Sequence, residues 1–182
     1  MSALKPWLPA MLLLGALTLL PAGARADEGW RVAPRFGLLI RQGAANTRIM
    51  TPSPGVDLEM GLSKHFGLRL SYGLGFKRRG TSDTHIFAVD NALTVLATAG
   101  TRFHPSGGLF VGLGAGAHLL LFDTSVLGKS QLGWDAAPGL AWIGGIRLYA
   151  VPGRMTVDFA AQGLLELENH RLQFYVAVAW RL

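Results

Sequence analysis

The sequence predicts an all-β chain: an eight-stranded, antiparallel, up-and-down transmembrane β-barrel behind an N-terminal signal peptide. Three observations carry this reading. First, the chain's last strand alternates cleanly, with Leu172, Phe174, Val176, Val178, Trp180 and Leu182 on one face and Gln173, Tyr175, Ala177, Ala179 and Arg181 on the other. About ten such residues, tilted, cross a bilayer core of roughly 30 Å. Second, the chain is 50% hydrophobic and 15% charged, whereas an ordinary soluble domain carries about 25% charged residues. Past the N-terminal segment no apolar run is long enough for a spanning helix, so the hydrophobicity must be spread over alternating strands. Third, Lys5, the apolar run Met11 to Leu20 and the small-residue site Ala24-Arg25-Ala26 form a secretory signal. Residues 1–26 are expected to be removed after Ala26, leaving 27–182 as one barrel domain.

The remaining strands follow from the same period. Strand one, about Trp30 to Arg41, sets Trp30, Val32, Phe36, Leu38 and Ile40 against Arg31, Arg35 and Arg41. Strand two, about Val56 to Lys64, sets Val56, Leu58, Met60 and Leu62 against Asp57, Glu59 and Ser63. Strand three, about Leu68 to Lys77, alternates Leu68, Leu70, Tyr72, Leu74 and Phe76 with Arg69, Ser71, Gly73, Gly75 and Lys77. Strand four, about Ile86 to Phe103, opposes Phe87, Val89, Leu93, Val95 and Ala97 to Asp90, Thr94, Thr98 and Arg102; Asn91 interrupts its apolar face, as in a strand that outruns the membrane. Strand five, about Leu109 to Phe122, has Leu109, Val111, Leu113, Leu119 and Leu121 opposite glycines and His118. Strand six, about Trp134 to Tyr149, opposes Leu140, Trp142, Ile146 and Leu148 to Asp135, Arg147 and Tyr149. Strand seven, about Arg154 to Glu168, opposes Met155, Val157, Phe159, Leu165 and Leu167 to Asp158, Gln162, Glu166 and Glu168.

Between the strands, 64–67, 104–108 and 151–153 read as short turns, and 42–55 and 123–133 as long loops on the opposite side. Pattern alone fits a soluble sandwich or lipocalin-like barrel equally well. The polar faces decide, because they carry Gly, Ser, Thr and Ala around single charges rather than the Lys and Glu of a solvated surface. They belong inside a narrow barrel, whose interior holds side chains and little else. Parity sends Arg31, Arg35, Asp57, Glu59, Arg69, Arg102, Arg147, Asp158, Glu166 and Arg181 inward as a lumen charge network, with Asp57 and Glu59 across a short turn from Arg69. Trp30 and Trp180 point outward, as in an interfacial aromatic girdle.

These features together resemble the small bacterial outer-membrane barrels of the OmpA/OmpX type, although the chain ends in Leu182 where such barrels most often end in Phe. The resemblance implies an outer-membrane location, lipid and lipopolysaccharide as surroundings, insertion by the barrel-assembly machinery, and a structural or surface-interaction role without catalysis. Ligand contact is expected through 42–55 and 123–133. A small-solute channel is the alternative reading, and a lipid A-modifying barrel enzyme the second. The latter needs a nucleophile and a base in contact, and the sequence offers His104-Pro105-Ser106, in a turn with no acid to orient the histidine. No cofactor is expected: there is no cysteine for thiolate metal sites, and Gly112, Gly114 and Gly116 lack the dinucleotide-binding spacing. His85 and His170, beside Asp83 and Glu168, lack diagnostic metal-ligand spacing. The net charge of +6 is scattered among acids, which does not make a nucleic-acid surface.

Overall fold

The computed structural model describes residues 29–42, 48–80, 84–126, 129–151, 154–167 and 170–182. The signal segment 1–26 lies outside these. The described residues form eight strands: β1 (Trp30–Gln42), β2 (Arg48–Gly61), β3 (Phe66–Gly80), β4 (Thr84–His104), β5 (Gly107–Val126), β6 (Lys129–Val151), β7 (Met155–Leu165) and β8 (His170–Arg181). Each pairs antiparallel with its chain neighbours, and β8 closes on β1. The register fixes the shape. Trp30, Met60, Leu68, Ala97, Leu113, Trp142, Gly163 and Leu172 pair in succession round the wall, and Leu172 then pairs with Ile40, ten residues further along β1 than the start. For eight strands about 4.8 Å apart rising about 3.3 Å per residue, that stagger means a tilt of about 40°.

The barrel is apolar outside and polar within. Trp30, Phe36, Val56, Leu70, Leu113, Leu140, Phe159, Phe174 and Trp180 are exposed on the outer surface, whereas Asp57, Arg69, Ser53, Ser71 and Asp158 are fully buried inside. Trp30 and Trp180 lie at the end where the described chain starts and finishes, here called the lower end. The lumen also carries an apolar cluster that includes Leu96, Phe110, Ile143 and Leu164. These side chains occupy inward positions between the charges.

Two expected loops are strands. Of 42–55, residues 48–55 belong to β2 and pair with β1 throughout, and of 123–133, residues 123–126 and 129–133 extend the β5–β6 hairpin. Residues 43–47 and 127–128 lie outside the described set. The prolines at 52 and 54 mimic a loop because they cannot donate to a ladder; β2 nevertheless holds together because its other edge is laddered to β1. The polar stretch of the hairpin is nevertheless strand, because each residue from Asp123 to Val126 is paired with one from Lys129 to Leu132.

The strands are unequal in consequence. β6 pairs with β7 only from Leu140 downward, so Lys129–Gly139 has β5 as its sole described neighbour. β2 and β3 pair only from Gly55 with Gly73 downward. The upper parts of β3, β4, β5 and β6 therefore rise as a four-stranded blade from one side of the rim. Its outer face is apolar: Leu132 is 81% exposed and Trp134 69%, beside Leu121 and Phe87.

A closed barrel of this kind should migrate faster on unheated than on boiled detergent gels and show a β-type circular dichroism spectrum. A helical spectrum, or recovery as a soluble periplasmic protein, contradicts the fold described here.

Candidate functional site: the charged lumen and the upper rim

Arg69 is the centre of the lower lumen. It stands opposite Glu59 in the β2–β3 register and projects inward beside it. Its Nη2 donates to Glu59 Oε2 at 2.6 Å and to Asp158 Oδ2 at 2.9 Å, and its Nη1 lies 3.5 Å from Asp57 Oδ2. Arg147 reaches the same carboxylates from β6. Its Nε and Nη2 fork onto Asp158 at 2.8 Å each, and its Nη1 and Nη2 onto Glu59 at 2.9 and 2.6 Å. This is the bidentate geometry in which guanidinium–carboxylate bonds are strongest. The ring of Phe110 underlies both cations, 4.7 Å from Arg69 and 5.2 Å from Arg147.

The third cation, Arg35, lies 3.4 Å from Asp57 Oδ1 and stacks 4.4 Å from the Tyr175 ring. Tyr175 donates to Asp57 Oδ2 at 3.1 Å and accepts from Arg69, while Ser71 donates to Asp57 Oδ1 at 2.7 Å. Three guanidiniums thus face three carboxylates, Asp57, Glu59 and Asp158, and the cluster is charge-neutral. Isolated buried ions cost several kcal/mol each; here each has a counterion. Among the described residues the Nε atoms of Arg35 and Arg69 have no partner with hydrogen-bond geometry, although Arg35 Nε is the atom that faces Asp57 Oδ1.

A polar middle layer follows. Arg35 donates to Gln162, which donates to Thr94 at 2.7 Å, and Gln173 donates to Ser53 at 2.8 Å. Above it lies a second ionic cluster. Arg171 donates to Asp90, Arg41 lies 3.6 Å from Asp90, and His118 Nδ1 lies 2.5 Å from Glu166 Oε1 while its Nε2 is 3.3 Å from Arg41 Nη2. With an arginine on Nε2, the consistent tautomer is Nδ1–H donating to Glu166 and Nε2 accepting from Arg41. Around it Arg41 and Arg171 face Asp90 and Glu166, two cations with two anions.

Of the residues expected in the lumen network, Arg35, Asp57, Glu59, Arg69, Arg147 and Asp158 meet in the lower cluster and Glu166 in the upper. Arg31 is half-buried at the lower rim, in register beside Glu59 and Arg181, and is not among the cluster's bonded members. Arg102 and Arg181 are corrected: both are exposed at the lower end, Arg102 stacked 3.9 Å over Tyr149. Parity sets the face a residue takes but not its height, and these two lie at the lower rim. Exposed Asp135, on the polar face expected of strand six, repeats the lesson. His118, expected to stand alone among glycines, has two partners. Arg171 went unrecognised, although its odd number gave it the inward parity of Gln173. Glu168, Asp83 and the side chain of His85 fall outside the described residues.

His104 and Ser106 do touch, at 2.6 Å, but on an exposed turn at the lower end, where His104 Nδ1 also accepts the Ser106 amide at 3.3 Å. That is a turn cap. Among the described residues no cluster of three His, Asp or Glu side chains forms a metal site.

Similarity to known proteins is confined to shape. No protein family and no curated protein sequence matches the chain. Among solved structures, Ail, the attachment invasion locus protein of Yersinia pestis, superposes with a TM-score of 0.65 at 15% identity, covering 85% of this chain and 99% of that one. Neisserial surface protein A superposes with a TM-score of 0.61 at 11% identity, covering 85% and 97%. The chain has the fold of the small outer-membrane barrels. That Ail structure holds the heparin analogue sucrose octasulfate.

Replacing Arg69 with Ala leaves three carboxylates short of a cation and should cost about 3–5 kcal/mol of stability. Replacing exposed Arg102 should stay within about 0.5 kcal/mol. Urea unfolding of the two variants in lipid vesicles checks the contrast, and equal losses would contradict the assignment of Arg69 to a buried cluster.

Proposed function

We propose that this protein is a non-enzymatic integral outer-membrane barrel, exported by its N-terminal signal and folded by the barrel-assembly machinery. Its lumen is closed, and its function lies on the outer rim. The observation that carries this reading is the four-stranded blade, a large exposed sheet standing on a tube filled by side chains. Such a barrel serves as a rigid mount, and the blade is its presenting surface. The termini-bearing end then faces the periplasm, as expected for an even-stranded barrel with its longer connections outside.

The partner chemistry favoured by the rim is anionic. β3 ends in Lys77-Arg78-Arg79-Gly80, and β2 begins at Arg48. The sulfated ligand of the Ail structure supports testing a polyanion, and lipopolysaccharide phosphates offer the same chemistry at the membrane surface. The catalytic reading has no comparable support, since the His104–Ser106 pair lies at the periplasmic end in this orientation.

Refolded protein should bind heparin-agarose and elute with rising salt, and K77Q/R78Q/R79Q should elute earlier while keeping its heat-dependent gel shift. In planar bilayers the same preparation should pass no stable single-channel current. Unchanged elution of the triple variant removes the rim reading, and reproducible conductance steps replace the closed lumen with a channel.

A further inference from the structure

The wall has one seam whose opening is written in the sequence. β2 and β3 are laddered over seven pairs, from Gly61 with Gly67 up to Gly55 with Gly73, and then part while both strands continue. Extending that register would set Pro54 opposite Leu74 and Pro52 opposite Phe76. Leu74 and Phe76 are the residues whose main-chain groups face β2: Ser53 donates its hydroxyl to the Leu74 carbonyl, and Thr51 both donates to the Phe76 carbonyl and accepts the Phe76 amide. The two missing rungs therefore fall where β2 has proline and no N–H to give. An unpaired carbonyl in a hydrocarbon phase is strongly disfavoured, and the Ser53 and Thr51 side chains supply the missing donors.

Two hydroxyls are a weaker join than a ladder, because each swings on a single side-chain torsion. The flanks of the seam on the outer surface are apolar, with exposed Met50, Pro52 and Val56 on one side and Leu74 and exposed Phe76 on the other. Immediately behind it the inner face of β3 has no side chain of its own at Gly73, which is covered by Arg35, Gln173 and Arg171, or at Gly75, which is backed by Leu39 and Thr51. A Cβ on Gly75 would lie 2.6 Å from Leu39 Cδ2 and 3.2 Å from Thr51 Cγ2, so the buried Leu39 side chain sits directly behind the latch. By contrast, Leu96 is equally buried but stands on β4, whose ladders to β3 and β5 are unbroken at its level.

We propose that the upper β2–β3 seam is a lateral portal through which a hydrocarbon chain of the surrounding outer leaflet reaches Leu39, with Thr51 and Ser53 as its latch. The proposal rests on the membrane reading above. Because the chain has no cysteine, single-cysteine variants report on it cleanly. In vesicles, Leu39→Cys should react with a bilayer-dissolved maleimide at least tenfold faster than Leu96→Cys. It should also react faster with that reagent than with a membrane-impermeant charged maleimide. Adding P52V/P54V, which restores the two N–H groups, should slow the reaction at least tenfold, and adding T51V/S53A should speed it. Equal rates at Leu39→Cys and Leu96→Cys, a preference for the aqueous reagent, or indifference to the proline replacements would each overturn the portal. Leu38→Cys, on the outer face of the same strand, tests the premise separately: if it fails to react with the bilayer-dissolved reagent, the membrane reading falls, and the portal with it.

Discussion

Arg69 sits in a narrow tube where a guanidinium can be tolerated only if anions come to it, and the surrounding architecture is arranged so that they do. Glu59 arrives from the neighbouring strand, Asp57 from one register step above it, and Asp158 from across the lumen on β7. Arg147 then ties Asp158 back to Glu59. Strands far apart in the chain are thereby clamped at one level by bonds between side chains, in addition to the ladders between their backbones. The stagger of ten residues is what brings these positions to a common height.

Charge balance governs the interior at two levels. The lower cluster pairs three arginines with three carboxylates, and the upper pairs Arg41 and Arg171 with Asp90 and Glu166 around His118. Between them, amide and hydroxyl groups join Leu96, Ile143 and Leu164. Neutral clusters on both sides of a partly apolar layer are the basis of the closed lumen proposed above. The same economy explains where the wall gives way. Backbone groups facing lipid must be paired, so the loss of two donors at Pro52 and Pro54 is matched by two hydroxyls rather than left open.

The alternation of apolar and polar residues made the strand number, the closure and the inward or outward face of each strand legible. Arg35, Asp57, Glu59, Arg69, Arg147, Asp158 and Glu166 could be placed on one face by parity alone. Their bonding partners could not, because Arg69 with Asp158 and Arg147 with Glu59 join residues 89 and 88 positions apart, and the stagger that aligns them is a property of all eight registers. Height was equally hidden, which is why Arg102 and Arg181 were expected inside and lie at the rim. The extra length of β2, β5 and β6 was masked by Pro52, Pro54, Gly133 and a polar run, all of which resemble loop when no neighbouring strand is in view.

The account stands or falls on whether the lower cluster is a coupled unit that holds the lumen shut. A double-mutant cycle between Arg147 and Asp158, using R147M, D158N and the combined variant in vesicle-based urea unfolding, measures that coupling directly. A bonded, buried pair predicts that each single variant is strongly destabilised and that the double variant recovers part of the loss, with a coupling energy of about 1–3 kcal/mol. Additive losses, with no recovery in the double variant, would mean that the two side chains do not share a buried site and would contradict the closed lumen.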